Sequence, residues 1–529
     1  MQAAKRLIRR KSMDKMNGIK KITILVCLSL MVIFTGGCAN LPEQGKTDYD
    51  VVVIGGGLGG LSAGAHLATN NFKVLLVEQH DKVGGCATSF ERDEFTFEVA
   101  LHEMAGGGPG KIDRGLYQLL KACGVDKKAQ LYELPHFYRS IYPGVDITLP
   151  GNWEGFKKAL KQKWPEEAAG IDKFHKLCST LFEELLSLKD LFRYGAFRST
   201  LTKMMTPLRQ PTFFKWKDKT LQDLMDECFT NEDIKAVVSQ LWFYYGAPAH
   251  DQTALLLLAA TEVFLTDGVW HVKGTSQALS NAYAERIEEL GGKVMTNTLA
   301  TKILMSGDRA TGIQTESGET FTSRYVVANT DPYQLTQKLV GEKHFPAEYI
   351  ANIKKMKPAN SLFGAYLGLN IDLKKLGYND TTICYNTSKD NRLVHDNMMK
   401  GDFKNGAALI TIYSNYGDPI YAPEGKSVVT LVNYSDIDIW PEYGDAYDKL
   451  KEEKVDELIK LAAQVIPELG NPDNIIVKEG YTPRTIKRYT LNKGGVVYGF
   501  YMSKDQWQKI PNNTPIENLF IASNWSQAW

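Results

Sequence analysis

Apolar positions follow two rhythms along the chain. Residues 51–54 read Val-Val-Val-Ile, and residues 73–78 hold a second short apolar run. Unbroken runs of this length predict strands buried on both faces, because a strand with one wet face alternates apolar and polar positions. Between them, residues 61–70 carry Ala and Leu at helical spacing, which makes one βαβ unit within about 30 residues. From residue 111 to about 264 helical periodicity takes over, with helices predicted over 166–192 and 220–243 and a long apolar stretch at 253–265. Residues 274–290 read as an amphipathic helix and 293–296 as a strand. A hairpin-like stretch spans 300–321, with turns at Ser306-Gly307-Asp308 and Glu316-Ser317-Gly318-Glu319. Residues 325–328 form another buried strand. Strands at 409–413 and 427–432 then mix with a helix over 445–465, and 518–523 is a last apolar strand.

The first residues follow neither rhythm. A basic stretch (Lys5, Arg6, Arg9, Arg10, Lys11, Lys20, Lys21) precedes an apolar run of about 13 residues at 22–34, the length of a signal-peptide core and short for a membrane-spanning helix. Thr35-Gly36-Gly37 and Cys38 follow. This resembles a bacterial lipoprotein signal, with Cys38 acylated as the mature N-terminus, although Thr35 stands where Leu is usual. The alternative is an uncleaved N-terminal anchor. Either reading places the body at a membrane surface, and the lipoprotein reading places it on the periplasmic or outer side. Arg9-Arg10 is also a weak sign of twin-arginine export.

Composition narrows the class. With 529 residues, 43% of them hydrophobic, the chain is too long for one small core. A net charge of +1 gives no basic excess for a nucleic-acid partner. Cys86, Cys123, Cys178, Cys228 and Cys384 are scattered, with no CxxC pair, and the nine histidines show no HxxxH or HExxH spacing, so no disulfide framework and no metal site is implied.

The chemistry is carried by glycine. Gly55, Gly57 and Gly60 spell G-x-G-x-x-G at a strand-to-helix junction. The first permits a tight turn, the second lets the backbone approach a pyrophosphate, and the third lets the helix pack on the sheet. The phosphates then meet free N–H groups at the helix N-terminus. Glu78 ends the second strand about 18 residues after Gly60, near the spacing of a ribose-binding acid. Its carboxylate accepts hydrogen bonds from a ribose diol and repels a 2′-phosphate, which favours FAD or NAD over NADP. Residues 106–111, Gly-Gly-Gly-Pro-Gly-Lys, lack the spacing of a phosphate loop and a Ser/Thr after the lysine, so they read as a plain loop. No second dinucleotide fingerprint appears, which argues against a separate NAD(P)H domain and leaves the electron partner open.

Further blocks surround this motif: Leu76-Val77-Glu78-Gln79-His80, Gly84-Gly85-Cys86, Phe95-Thr96-Phe97-Glu98, 273–279, 326–332 and 514–523. In this order they resemble the phytoene desaturase, carotenoid isomerase and retinol saturase family of flavoproteins. The resemblance implies an α/β fold, in which a Rossmann-like FAD-binding domain of the amine-oxidase and desaturase type is interleaved with a helix-rich substrate domain. The FAD-binding parts would be 48–110, 265–332 and 482–529. The helical, membrane-facing region would be 111–264, and a mixed α/β substrate part 333–481, with 1–38 as leader. The implied cofactor is FAD, bound non-covalently by Gly55, Gly57, Leu58, Gly59 and Gly60, with Glu78 and Gln79 at the ribose. Gly84, Gly85 and Cys86 would run beneath the flavin end and backbone near Ile303 would face the adenine. Cys86 reads as a flavin neighbour or, preferably, a packing residue. The family's terminal Gly-Asp is here Ser523-Asn524, so Asn524 would meet the ribityl chain or a phosphate without charge. The sequence given stops at Trp529, before the helix start the family places there; either it is cut short or the flavin site lacks that helix.

His102 and Glu103 fall where the family's chain passes the flavin ring, as proton-handling groups or as hydrogen-bonded wall. Tyr489 and Tyr498 are candidates for the same cavity or for the core. Residues 193–219, with Phe213, Phe214 and Trp216 among basic residues, suit lipid headgroups or a solvated helical face. The implied activity is oxidoreduction on an apolar polyene or isoprenoid by desaturation, saturation or cis–trans isomerisation. Two alternatives are an amine oxidase and a prenyl-lipid binding protein of the Rab GDP-dissociation inhibitor kind without flavin.

Overall fold

A computed structural model describes residues 47–108, 115–191 and 208–527. By compactness residues 48–185 and 207–529 form one unit and residues 1–47 with 186–206 another. The larger unit holds the two large sheets. Cys38 and residues 192–207 lie outside the described residues.

The apolar runs of the βαβ unit build the centre of a seven-stranded sheet. Tyr49–Ile54 lies between Val74–Val77 and Thr320–Ala328, parallel to both, with Val53 opposite Leu76 and Val327. Lys293–Met295 extends this parallel set at one edge, and Leu519–Ile521 pairs parallel with the end of Thr320–Ala328. The start of that long strand turns back into an antiparallel meander with Arg309–Thr315 and Ala300–Ser306. Val52, Val53, Leu75 and Leu76 are fully buried, as strands covered on both faces require. Helices Leu58–Thr69 and Thr275–Glu289 cover one face and pack on each other.

A second seven-stranded sheet runs in the order 475–481, 361–369, 427–435, 407–412, 382–386, 136–142 and 145–150. It is antiparallel except where Thr382–Asn386 pairs parallel with His136–Tyr142. Both central strands, Ser361–Leu369 and Ser427–Ser435, are buried at every position.

Two expectations need correction. The region 111–264 is not wholly helical: strands Leu131–Leu134, His136–Tyr142 and Val145–Pro150 occupy its first third. The cause is legible afterwards. Residues 136–142 alternate between the two faces, and Pro143-Gly144, with Gly144 at φ +78°, closes a hairpin onto 145–150. The aromatic residues near 213 do not face lipid. Phe213 and Trp216 are buried in the main core, Phe213 against Trp507 at 5.5 Å between ring centroids. The neighbouring Lys215 and Lys219 lie over the Trp216 ring, and Lys215 pairs with Glu227 at 2.5 Å. No helix among the described residues is long and apolar enough to cross a membrane.

Candidate functional site

The C-terminal ends of the parallel strands meet at the first turn of helix Leu58–Thr69. That helix starts without a side-chain cap and without an acid in its first turn, so its leading N–H groups face outward unpaired by protein side chains. Gly55 holds φ +94°, a region open to glycine and strained for other residues. A Cβ on Gly60 would collide with the Gly55 carbonyl, so this position serves helix-to-strand packing. At Gly57 the structure refines the expectation. A Cβ there would come within 2.7 Å of Asn329 Nδ2. The missing side chain therefore first makes room for Asn329, which follows the adjacent parallel strand, and the turn carrying Gly57 thereby stays open to a ligand.

Around this turn lies a cavity of about 360 Å³. Gly55, Gly57, Leu58 and Gly59 line it, as do Glu78, Gln79, Gly84, Gly85, Cys86 and Asn524. Gly60 does not. Glu78 is buried and accepts from the backbone N–H groups of Gly56 at 2.6 Å and His80 at 2.9 Å, which fixes its carboxylate at the mouth of the second strand. Gly84 donates to the Gly56 carbonyl at 2.7 Å, tying the second glycine pair to the first turn. Ile303 is not at this site: it is 1% exposed in the core beneath the meander, and the corresponding wall is made by Thr298, Leu299 and Ala300. The strand that carries Ile303 begins at Ala300, so only its first residue reaches the cavity.

Asn524 lines the cavity, but its Nδ2 donates to the Val497 carbonyl, so that donor does not point at a ligand. Lys509 Nζ, its pKa lowered by burial, donates to the Asn524 carbonyl at 2.7 Å and steadies the turn. Trp525 closes the turn, fully buried against Phe500 and Tyr333.

Sequence reasoning passed over Asn329, Thr330 and Gln334, which also line the cavity. Thr330 Oγ1 is buried without a protein partner, the mark of a group that a ligand completes. The signal was available in the Asn-Thr-Asp-Pro that follows the buried strand, where a helix start interrupts the apolar run. Also missed was a strap over the cavity formed by residues 489–492. Gln79 Nε2 donates to the Tyr489 carbonyl and Gln334 Nε2 to the Leu491 carbonyl, at 2.8 and 2.7 Å. Leu491 is held at φ +57°, uncommon for a branched side chain. Tyr489 itself is 51% exposed and meets His80 edge-on, while Tyr498 sits in the interior beside Tyr434.

The strip 99–103 leaves this cavity for the interior. Ala100 and Leu101 line it; His102 and Glu103 continue toward the second sheet and do not. Both keep part of their surface accessible although burial dominates their titration. Burial, helped by the nearby His271, pushes the His102 pKa down to about 4. Burial pushes Glu103 up, opposed by hydrogen bonds from Thr382 and Tyr244, the latter at 2.6 Å. His102 Nδ1 lies 2.8 Å from the Tyr413 hydroxyl and 3.1 Å from Thr411 Oγ1, and Tyr413 also reaches the Leu101 carbonyl at 2.9 Å.

A second cavity of about 330 Å³ adjoins the first and shares with it Gly85, Cys86, Ala100, Tyr489, Thr490 and Val497. Its own walls are apolar and aromatic, with Phe90, Leu362, Tyr366, Tyr481 and Ile486, and its rim carries Lys82, Arg92 and Glu479. Burial raises the Cys86 thiol to about 11, so between the two chambers it is a neutral wall.

A glycine-lined turn at a helix N-terminus, a buried ribose-binding carboxylate and an orphaned hydroxyl fit a dinucleotide. Known proteins give the same answer. Over residues 58–529 the chain matches the family described as flavin containing amine oxidoreductase, and it belongs to that family. Prolycopene isomerase 1, chloroplastic, of an Oncidium hybrid cultivar is 26% identical over 482 residues, 86% of this chain and 77% of its own. All-trans-retinol 13,14-reductase of Danio rerio is 25% identical over 522 residues, 91% and 83% of the two chains. An oxidoreductase from Methanosarcina mazei shares the fold with a TM-score of 0.61 at 15% identity, over 90% and 95% of the chains. The protein is an FAD-dependent oxidoreductase with the amine-oxidase type of FAD-binding fold.

Proposed function

We propose that the protein introduces a double bond into an apolar polyene or isoprenoid, or saturates or isomerises one. The observation that carries this is the apolar second cavity, separated from the cofactor cavity by Gly85, Cys86 and Ala100. An extended apolar chain leaves water for such a chamber at a gain of about 25 cal/mol per Å². Burial also pushes the His102 pKa down to about 4, so this side chain presents no fixed charge to hydrocarbon. The names of the carotenoid isomerase and retinol reductase relatives support the same substrate class. FAD, held by Gly57, Leu58, Gly59 and Glu78, supplies hydride or single-electron chemistry. Glu103, whose pKa burial raises, is the group suited to give a proton, and His102 to orient it or the substrate by hydrogen bonding.

An amine oxidase is the second reading, favoured by one feature: Tyr366 and Tyr481 pair inside the second cavity with ring centroids 5.0 Å apart. An ammonium guest also needs an unpaired carboxylate, and Glu479 at the rim is bound to Arg92 at 2.7 Å. Anaerobic mixing of the holoprotein with carotenoids, retinoids and putrescine, followed at the flavin absorbance, separates the two. Response to a polyene alone supports the first reading; response to the amine alone overturns it.

We also propose that the protein is tethered through a lipid on Cys38 at the outer side of a bacterial membrane, close to where such substrates reside. The support is the basic stretch, the apolar run and the small residues before Cys38. Cys38→Ser should move the protein from the membrane fraction to the soluble one. Retention with the leader uncut would favour the simple anchor.

A further inference from the structure

The strip 99–103 is irregular backbone at the wall of both cavities, and irregular buried backbone needs partners for its polar groups. Here side chains supply them. Tyr366 donates to the Val99 carbonyl at 2.7 Å and Tyr413 to the Leu101 carbonyl at 2.9 Å. The His102 carbonyl receives His271 Nδ1 at 2.8 Å and the Tyr416 hydroxyl at 3.3 Å. His271 stands apart from the tyrosines because a fully buried carboxyl group, Glu98, faces its other nitrogen.

The surroundings of that pair fix its protons. Glu98 Oε1 accepts from the Ser276 N–H at 2.7 Å and Oε2 from the Ser276 hydroxyl, so the carboxylate also sits at the N-terminus of helix Thr275–Glu289, where an anion is favoured. His271 Nε2, the Tyr421 hydroxyl and Glu98 Oε1 form a closed triangle with sides of 2.7, 3.2 and 3.3 Å. A carbonyl cannot donate, so Nδ1 of His271 must carry a proton toward His102. Tyr421 can donate to His271 Nε2 along the shortest side, while Glu98 is held by the two Ser276 donors.

We propose that the buried, hydrogen-bonded Glu98–His271 pair positions the flavin wall. The pair holds the His102 carbonyl and thereby sets where Ala100 and Leu101 stand against the cofactor. These are positioning residues: neither lines a cavity, His271 reaches the wall through the strip, and Glu98 also stands opposite Ser89 of the second cavity. A misplacement of about 1 Å remote from the reacting atoms is enough to cost on the order of 100-fold in rate.

This inference rests on FAD occupying the first cavity, and the test separates the two. Purified wild-type holoprotein carrying one flavin per chain establishes the occupancy. Glu98→Gln, which keeps the shape and removes the charge, and Tyr421→Phe, which removes one hydroxyl and no charge, are then titrated with sulfite, which adds to the flavin ring and reports its environment. The expected result is flavin bound in both variants. The sulfite Kd should change at least tenfold in Glu98→Gln and in the same direction, by less, in Tyr421→Phe, with flavin absorbance bands displaced from the wild type. A purely structural role would lower the melting temperature and leave the sulfite Kd and the bands unchanged, which overturns the proposal. If Glu98→Gln does not fold, the same comparison on Tyr421→Phe decides: an unchanged Kd and spectrum overturn it.

Discussion

The two seven-stranded sheets present chemistry in opposite ways. The parallel sheet brings backbone to the cofactor: a turn of glycines, the leading N–H groups of a helix, and one acid, Glu78, which backbone N–H groups themselves hold in place. The antiparallel sheet brings side chains: Tyr366, Thr382, Thr411 and Tyr413 reach from three strands and a turn to the strip 99–103. Backbone recognition tolerates almost any neighbour but forbids a Cβ at a few positions. Side-chain recognition has no forbidden position and depends on which strands lie adjacent. The first design is fixed locally and the second only by the finished fold.

The harshest test of that contrast is Gly57→Val. A Cβ already meets Asn329 at 2.7 Å, and valine adds two more carbons beside it. Flavin content after purification should fall to background while the far-ultraviolet dichroism persists. Full flavin occupancy in this variant would mean that the turn does not hold the cofactor.

The same contrast explains what the sequence discloses. Gly55, Gly57, Gly60 and Glu78 could be read because their task needs a fixed spacing within one βαβ unit. Their neighbours in the cavity were harder to place: Asn329 stands in the block 326–332 and Tyr489 was a candidate for the cavity, but nothing local ties either segment to residue 57. Backbone near Ile303 was placed at the adenine end by resemblance; the cavity wall reaches only to Ala300, and Ile303 itself is buried in the core. Helical periodicity over 111–264 obscured the hairpin 136–150, whose alternation is only seven residues long. The nearly all-apolar run 361–369 has no period to detect, being buried on both faces. His102 and Glu103 follow the cavity-lining Ala100 and Leu101 without lining the cavity themselves, and their hydrogen-bond partners, Tyr413, Tyr244 and Thr382, come from other elements.

On the side-chain half, Glu103→Gln is the sharpest substitution. Glutamine resembles the neutral acid in shape and hydrogen bonding but has no proton to give. If Glu103 protonates substrate, turnover should fall about 100-fold. Stability should respond in a definite sense. The folded pKa is raised above its ordinary 4.5, so the folded state binds this proton more tightly than the unfolded one. That contribution is complete below pH 4.5 and is lost as pH rises through the folded value. The variant should therefore lose less melting temperature than the wild type as pH is raised. His102 acts in the opposite sense: with a folded pKa of about 4 against 6.5, its contribution is present above 6.5 and is lost as pH falls toward 4. A His102→Gln protein should be relatively less sensitive to acid, which melting curves from pH 7 to 4 will check.

A milder change probes the boundary between the two designs. Glu78 accepts one backbone N–H on each carboxylate oxygen. Glu78→Gln leaves one acceptor for two donors and turns its NH2 toward the other. Losing a charged acceptor for the ribose diol costs about 1.5–3 kcal/mol, which corresponds to FAD binding roughly 10- to 100-fold weaker. Equilibrium dialysis of apoprotein with FAD measures this directly, and an unchanged Kd would remove Glu78 from the ribose site.

The smallest effect belongs to the strap, where a side chain of the cofactor half grips backbone contributed from beyond the second sheet. Gln79 and Gln334 each donate one neutral hydrogen bond to it, and each bond is worth about 1 kcal/mol. Neither bond forms the wall against which the cofactor rests, so Gln79→Ala and Gln334→Ala should leave the flavin spectrum intact. What they loosen is the cover. The strap opens for FAD to leave, and removing one bond from the closed state lowers the opening cost by that amount, which predicts dissociation roughly 5-fold faster for each variant. Because the two glutamines hold carbonyls two residues apart, their effects should combine to less than the product, the second bond being weaker once the first is gone. Flavin fluorescence after dilution of holoprotein follows the release. Equal release rates in the wild type and the double variant would show that the cofactor leaves by another route, and that residues 489–492 are a fixed wall of the cavity.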